Sequence, residues 1–185
     1  MKINKIGTFN DVFEFTPNIH EDHRGFFYES FVSKLINNTV NQKKIFVQDN
    51  HSLSKKNVLR GMHFQVSPYA QTKLLRCVSG SIIEVIVNIN RESADFLKHE
   101  KILVSPKKKN LIYIPSHYAH GFIALEDNTE VLYKTDNYYN AEMQVTLKWD
   151  DKLINIDWGI DPKKVILSQR DKNALTFSNY FNLDS

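Results

Sequence analysis

A chain of 185 residues is long enough to bury one sizeable core, and its uniform composition predicts a single domain over 1–185. The net charge of the chain is only +3, and its basic residues are scattered, with Lys107-Lys108-Lys109 as the one run. This small, dispersed charge argues against binding to nucleic acid or to a membrane. The single cysteine, Cys77, excludes an internal disulfide, and with no apolar leader after Met1 we expect a cytoplasmic protein.

Short runs rich in Val, Ile, Phe and Tyr predict an all-β chain. The predicted strands cover 12–15, 26–31, 45–50, 58–65, 72–78, 82–90, 99–104, 111–114, 121–125 and 130–135. Turn-forming pairs such as Ser79-Gly80 and Ser105-Pro106 separate several of them. Helix is expected only at 31–37 and, weakly, at 169–177. Many short strands at this spacing indicate an antiparallel sandwich or barrel of the jelly-roll type.

Three of these strands carry polar side chains where a core residue is the norm. The run 58–65 contains Arg60 and His63, Lys73 opens the run that follows, and Tyr133 lies within the last predicted strand. A base, a cation and a phenol on separate strands indicate a pocket inside a barrel. Each residue also has an ordinary interpretation, because strand histidines and tyrosines usually pack in cores and a lysine at a strand start is usually exposed.

The spacing of Arg60 and His63 conflicts with a shared pocket. On a regular strand, residues three apart point to opposite faces. A bulge at Gly61 would re-aim one of the two side chains. Alternatively, Arg60 reaches the rim of the pocket from the end of the strand.

Several blocks of the chain resemble the dTDP-4-dehydrorhamnose 3,5-epimerase family, in family order. The blocks are Asp22 through Phe31, Phe46 through Ser52, Val58 through Gln65, Ala119 through Phe122 and Leu132 through Tyr139. The similarity continues through Trp149-Asp150-Asp151 and Ile156-Asp157-Trp158 into the tail. It implies a cupin-type antiparallel jelly-roll barrel with a few short helices, a homodimer that exchanges an N-terminal segment, and cofactor-free epimerisation at C3 and C5 of a nucleotide-linked 4-keto-6-deoxy sugar.

The same residues suit that chemistry. A proton next to a ketone can be removed only if a base takes it while the enolate oxygen is stabilised, and inversion needs an acid on the opposite face of the ring. His63 suits the base, Tyr133 the opposite acid and Lys73 the cation at the enolate oxygen. By resemblance, Asp171 is the carboxylate that orients His63.

The nucleoside diphosphate of such a substrate calls for arginines and neutral hydrogen-bonding groups. Gln48 and Asn50 share a strand face and can both donate and accept. The substrate-binding residues implied by the resemblance are Arg24, Phe27, Glu29, Gln48, Asn50, Arg60, His120 and Tyr139. The pair Phe26-Phe27 also suits the core of a dimer interface.

Many cupins bind iron, manganese or zinc through histidines, so a metal site is one alternative. Its candidates are His51, His63, His117 and His120. The usual metal-binding pattern, a His-x-His pair followed by a glutamate on the next strand, is absent, so we expect no metal.

Some positions depart from the family pattern. Glu84 and Asn88 stand where aspartates are common, and Ser116-His117-Tyr118 replaces a usual Glu-Gly-Phe. Glu84 places a longer carboxylate where it could face the barrel interior. These changes leave open which centres are inverted and which nucleotide sugar is the substrate. The alternatives are a C3-only or C5-only epimerase and an epimerase that acts on a GDP-linked or heptose substrate. A 3,4-ketoisomerase and a catalytically silent sugar-nucleotide-binding cupin are more distant ones.

Overall fold

The computed structural model describes residues 1–183 and consists mainly of antiparallel strands. The strands are β1 (Lys2–Lys5), β2 (Phe13–Thr16), β3 (His20–Asp22), β4 (Gly25–Phe27), β5 (Gln48–Ser54), β6 (Leu59–Gln65), β7 (Lys73–Ser79), β8 (Ile82–Asn88), β9 (His99–Val104), β10 (Leu111–Ile114), β11 (Tyr118–Ala124), β12 (Thr129–Thr135) and β13 (Gln144–Thr146). The helices are α1 (Ser33–Val40), α2 (Gln169–Lys172) and α3 (Phe177–Phe181), and Pro162–Lys164 forms a 3₁₀ turn. Within residues 1–183 no helix is long and apolar enough to cross a membrane.

The strands form two facing sheets. The six-stranded sheet has the order β1-β2-β10-β7-β12-β5, and the five-stranded sheet has the order β13-β6-β11-β8-β9. A buried cluster between them takes Leu75 and Ile112 from the first sheet and Ile86 and Phe122 from the second. Inward-facing apolar residues of both sheets therefore build one core, and the predicted all-β jelly-roll class is confirmed.

The outer faces of the two sheets are covered by other segments. Met62 on the five-stranded sheet belongs to a buried cluster with Trp158 and Phe177 of the C-terminal segment. Tyr113 on the six-stranded sheet packs in a cluster with Ile36 of α1. The C-terminal segment is thereby held against the sheet that contains β6, which matters for the site.

Two predicted strands differ from the structure. The expected strand 26–31 ends at Phe27, because β3 and β4 form a separate exposed hairpin that pairs with neither large sheet. The expected strand 45–50 is displaced to β5, which pairs with β12 along its whole length. The other predicted strands are present, with ends shifted by three residues or fewer.

The sequence pattern missed β1, β3 and β13. Their sequences KINK, HED and QVT are short and largely polar, so pairing with a neighbouring strand, rather than hydrophobic alternation, defines them. The expected helix 169–177 is divided in two. Thr176 caps α3 by accepting a hydrogen bond from the Asn179 N–H, so a new helix begins there.

Candidate active site

A cavity of about 500 Å³ opens between the two sheets. The six-stranded sheet contributes β5, β7 and β12 to its walls, and the five-stranded sheet contributes β6, β11 and β13. The predicted site residues that line it are Arg60, His63, Lys73, His120, Tyr133, Tyr139 and Asp171. The tertiary fold thus brings together residues separated by more than 100 positions in sequence.

A bulge in β6 explains how Arg60 and His63 share this cavity. His63 pairs with His120 and Arg60 pairs with Phe122, so three residue steps on β6 oppose two on β11. The extra residue reverses the alternation between Arg60 and His63. The bulge interpretation is confirmed, and Gly61 lies within the bulge at φ +139°.

Two glycines allow β6 and β11 to approach closely at the bulge. A Cβ atom on Gly61 would lie 2.5 Å from the Cα of Gly121, a backbone atom that cannot rotate away. The positive φ adds a second penalty for any other residue. Gly61 is therefore required both by space and by conformation.

We expect Gly61→Ala to destabilise the fold by about 3 kcal/mol, because overpacking and an unfavourable φ act together. Equilibrium unfolding in urea measures the loss. Gly159→Ala is the matched control, since Gly159 has φ +69° but no atom within 4 Å of its built Cβ. Its expected cost is about 1 kcal/mol. Equal losses in the two variants would show that the close approach at the bulge contributes nothing.

The His63 ring is held by Asp171. Its Nε2 lies 2.6 Å from Asp171 Oδ1. Ser168 caps α2 by accepting the Asp171 N–H and donates its hydroxyl to Asp171 Oδ2 at 2.6 Å. Burial raises the pKa of the Asp171 carboxyl, but hydrogen bonds from His63, Ser168 and the Gly61 N–H outweigh burial and hold it below its usual value. An ionised Asp171 accepts from Nε2–H, which leaves Nδ1 to accept a proton.

Lys73 enters from the opposite sheet and is 7% exposed. Burial lowers its pKa to about 8, and the nearby Glu84 carboxyl opposes this effect only in part. Glu84 is fully buried, consistent with the interpretation that it could face the barrel interior, and its Oε1 lies 2.6 Å from His120 Nδ1. Burial raises the pKa of Glu84 and lowers the pKa of His120, both strongly. His120 is therefore neutral at ordinary pH.

Tyr133 lies on β12, across the cavity from His63 on β6. Burial raises the pKa of its phenol, and the charge of Arg60 offsets this only partly. The phenol consequently stays protonated near neutral pH. A base on one wall and a phenolic donor on the other can reach opposite faces of a ring bound between them.

Two guanidinium groups lie at this cavity. Arg60 donates from Nε to Ser54 Oγ at 3.1 Å and from Nη2 to the Leu53 carbonyl at 3.0 Å. Arg170 donates from Nη1 to the Tyr139 hydroxyl at 3.0 Å and to Gln144 Oε1 at 2.7 Å. Sequence reasoning missed Arg170, although its position next to Asp171 in α2 was a usable signal. Together the two arginines can bind a diphosphate.

Gln48 and Asn50, predicted to bind substrate, do not line the cavity and are linked to it through Tyr139. The Gln48 side-chain amide donates to Asn50 Oδ1 at 2.8 Å, and Gln48 Oε1 accepts the Tyr139 N–H at 3.0 Å. Ser52, two residues further along β5, lines the cavity. Period two from Gln48 and Asn50 would have found Ser52, which the sequence reasoning omitted.

Arg24, Phe27 and Glu29 do not line the cavity of their own chain. Arg24 forms an exposed ion pair with Asp22, and Phe26 and Phe27 are 61% and 67% exposed on the β3–β4 hairpin. Two adjacent phenylalanines at this exposure form an apolar patch on the surface of the hairpin.

The remaining departures from the family pattern lie away from the site. Asn88 orders the loop after β8 by hydrogen bonds to Ser93 and Asn90. His117 Nε2 lies 2.8 Å from Asp11 Oδ2, and Asp11 also accepts the Tyr118 hydroxyl. Across residues 1–183, no three His, Cys, Asp or Glu side chains are grouped so as to hold a metal ion.

The chain is similar in sequence to a family of known enzymes over most of its length. A profile of the family described as dTDP-4-dehydrorhamnose 3,5-epimerase matches residues 7–179. The chain is 44% identical over 173 residues to the dTDP-4-dehydrorhamnose 3,5-epimerase of Shigella flexneri, covering 92% of this chain and 94% of that protein. It is 43% identical over 173 residues to the Escherichia coli enzyme of the same name, covering 94% and 93% of the two chains.

The fold of the chain also superposes closely on solved structures of epimerases with similar names. A crystal structure of dTDP-4-dehydrorhamnose 3,5-epimerase from Elizabethkingia anophelis superposes with a TM-score of 0.92 at 37% identity, covering 97% of each chain. A Legionella pneumophila dTDP-6-deoxy-D-glucose-3,5-epimerase in complex with dTDP-4-keto-L-rhamnose superposes with a TM-score of 0.90 at 34% identity, covering 100% of this chain and 94% of that one.

Proposed function

Because this chain belongs to the dTDP-4-dehydrorhamnose 3,5-epimerase family, we propose that it inverts C3 and C5 of dTDP-4-dehydro-6-deoxyglucose to give dTDP-4-dehydrorhamnose, with no metal or organic cofactor. The observation that carries the proposal is the His63–Asp171 pair on one wall of a cavity whose other wall holds Tyr133 and Lys73. This arrangement supplies a base, an opposed acid and a cation around one ring.

The reaction follows from these positions. His63 Nδ1 takes the proton from a carbon next to the C4 ketone, and the electron pair moves to the ketone oxygen, where the Lys73 ammonium stabilises the enolate. Ionised Asp171 stabilises the imidazolium that forms. Tyr133 then gives its hydroxyl proton to the same carbon from the opposite face while the ketone re-forms. Proton transfer through solvent returns His63 and Tyr133 to their starting states.

Product analysis tests this function. The protein is incubated separately with the dTDP-linked and the GDP-linked 4-keto-6-deoxyglucose, and each product is reduced, hydrolysed and identified as the free sugar. We expect 6-deoxy sugars of the L series, inverted at both C3 and C5, from the dTDP substrate. Inversion at one centre only, or turnover of the GDP substrate alone, would support the corresponding alternative epimerase. No product from either would favour a silent binding protein.

The buried Lys73 predicts an alkaline limit to activity. Its ammonium is the form that stabilises the enolate, so kcat/KM should fall by about tenfold per pH unit once pH rises above the lowered pKa of Lys73. That pKa is about 8 when Glu84 is ionised, and it lies lower when Glu84 is neutral. Lys101→Met is the matched control, because Lys101 bonds to Asp157 outside the cavity and should leave this limb unchanged. Lys73→Met should remove the limb together with most activity. An unchanged limb in Lys73→Met would assign it to another group.

We also propose that the protein works as a homodimer in which the N-terminal hairpin completes the partner's site. Arg24, Phe27 and Glu29 correspond to nucleotide-binding positions by family resemblance, yet they lie outside their own chain's cavity. The exposed Phe26 and Phe27 support burial against a second copy. In such a dimer, Phe26 and Phe27 can lie in the subunit interface and also contact the nucleotide bound by the partner.

Mixing two inactive variants tests this exchange. If Arg24 serves the partner's site, co-refolded His63→Ala and Arg24→Ala chains form heterodimers with one intact site, and activity returns to a measurable fraction of wild type. The control is each variant refolded alone, which stays at its own low rate. If Arg24 serves its own chain, both heterodimer sites carry a defect and the mixture gains nothing.

A cytoplasmic location is the remaining part of the proposal. Cys77 is a buried free thiol, which suits a reducing compartment. Cell fractionation should recover the protein with the cytosolic fraction.

A further inference from the structure

The cavity contains two histidine–carboxylate pairs of equal length and different surroundings. His63 Nε2 lies 2.6 Å from Asp171 Oδ1, and His120 Nδ1 lies 2.6 Å from Glu84 Oε1. An ionised carboxylate needs donors on both oxygens. Asp171 has donors for both, from His63 and from the Ser168 hydroxyl.

Glu84 lacks this support. Its side chain is fully buried, and within residues 1–183 its Oε2 has no hydrogen-bond partner. Its cross-strand neighbours are Phe122 on β11 and Ile102 on β9, both apolar. No described Lys or Arg nitrogen lies within 4.0 Å of the carboxyl. Ionising Glu84 would therefore leave a buried oxygen of the anion without a donor, which is costly.

We propose that Glu84 is a protonated positioning residue that donates its O–H to His120 Nδ1, so that His120 presents an Nε2–H donor to the cavity. His63 gives its own Nε2–H to Asp171 and presents a bare Nδ1. The two histidines on neighbouring strands thereby have opposite polarity towards a bound sugar, one accepting a proton and the other donating a hydrogen bond. Different carboxyl surroundings produce this difference.

A protonated Glu84 explains how a neutral His120 can donate a hydrogen bond to the substrate. The inference rests on the proposed function for the identity of the acceptor, which is the enolate oxygen. Lys73 and His63 are both close enough to His120 for their charges to disfavour a third cation there. A neutral imidazole N–H adds a donor to the Lys73 ammonium and avoids that repulsion.

Nitrogen NMR of the wild-type protein tests the tautomer directly. With ¹⁵N-labelled histidine and His120→Gln to assign the signals, the substrate-free protein near pH 7 should show His120 protonated at Nε2 and bare at Nδ1. A bare Nε2 with a proton on Nδ1, or a doubly protonated ring, would overturn the proposal. The measurement requires no turnover, so this result is independent of whether the epimerase function is correct.

Substitution at Glu84 tests the positioning role. Glu84→Leu removes the donor to Nδ1 and should lower kcat by roughly tenfold to a hundredfold with little change in KM, somewhat less than the loss of a whole oxyanion donor. Glu84→Gln keeps an N–H donor of the same length and should recover most of that loss. A Gln variant as slow as the Leu variant would show that the negative charge matters. If Glu84→Leu does not fold, the NMR signal in the Gln variant decides, with Nε2–H expected to persist.

The pH profile gives a readout that a merely structural role would not move. Among the titrating groups around this pair, Lys73 acts on both Glu84 and His120, and His63 acts on His120. If Glu84 is neutral in the wild type, Glu84→Gln leaves the alkaline limb of kcat/KM in place, because no charge beside Lys73 is lost. If Glu84 is ionised, the variant loses the charge that supports the Lys73 ammonium, and the limb moves to lower pH, against the proposal.

Discussion

Replacing His63 with alanine is expected to lower kcat by at least about a thousandfold, within the range that general base catalysis supplies. The His63 imidazole lines the cavity, and ionised Asp171 holds its Nε2 at 2.6 Å, which leaves Nδ1 free to act as the base. No other described histidine stands in that relation to an ionised carboxylate within the cavity. Initial rates with dTDP-4-dehydro-6-deoxyglucose measure the loss.

The matched control is His99→Asn, because His99 lies on β9 and does not line the cavity. It should turn over within about twofold of wild type, because the half-buried His99 lies on the outer strand β9 and substitutions away from the site usually have small effects on activity. Near-wild-type turnover in His63→Ala would remove His63 from the base role. Equal losses in both variants would indicate a general effect on the fold.

Replacing Tyr133 with phenylalanine is expected to separate proton removal from inversion. The variant keeps His63 and Lys73 but loses the donor on the opposite wall. The yield of inverted sugar should fall by about a hundredfold or more, the lower end of general-acid contributions. Exchange of substrate hydrogen with solvent deuterium should continue, though more slowly, since the base can return a proton to the face it came from.

Tyr180→Phe controls for loss of a hydroxyl, because Tyr180 does not line the cavity and contacts it only by packing edge-on against Phe64. It should leave both exchange and inversion unchanged. If Tyr133→Phe likewise kept both at wild-type rates, water or another residue would have to be the acid, and Tyr133 would be a packing residue.

Much of the fold follows from local sequence patterns, and its exceptions have physical causes. Strands 99–104 and 111–114 were predicted to the residue, because the Ser105-Pro106 turn follows the first and the second, LIYI, is wholly apolar. The expected strand 26–31 was too long, because its apolar residues Phe26 and Phe27 belong to the exposed β3–β4 hairpin, which ends at Phe27. Sequence pattern cannot distinguish apolar residues for an internal core from those for an external contact.

The site was predicted in part. Family resemblance and residue chemistry gave His63, Lys73, Tyr133 and Asp171, and the structure places all four at one cavity. Period two failed between Arg60 and His63 because the bulge is a tertiary feature of two closely packed strands. Likewise, the pairing of Glu84 with His120 depends on the register of β8 against β11, which no local pattern encodes.

Deuterium uptake by the wild-type protein tests the central claim most directly. The protein is incubated with dTDP-4-dehydro-6-deoxyglucose in heavy water, and the ring positions are followed by NMR. If His63 removes each proton and Tyr133 delivers a solvent-derived one from the opposite face, the product is inverted at C3 and C5 and carries deuterium at both carbons. Inverted product without deuterium at those carbons, or deuterium at only one of them, would contradict a 3,5-epimerase that works by this route.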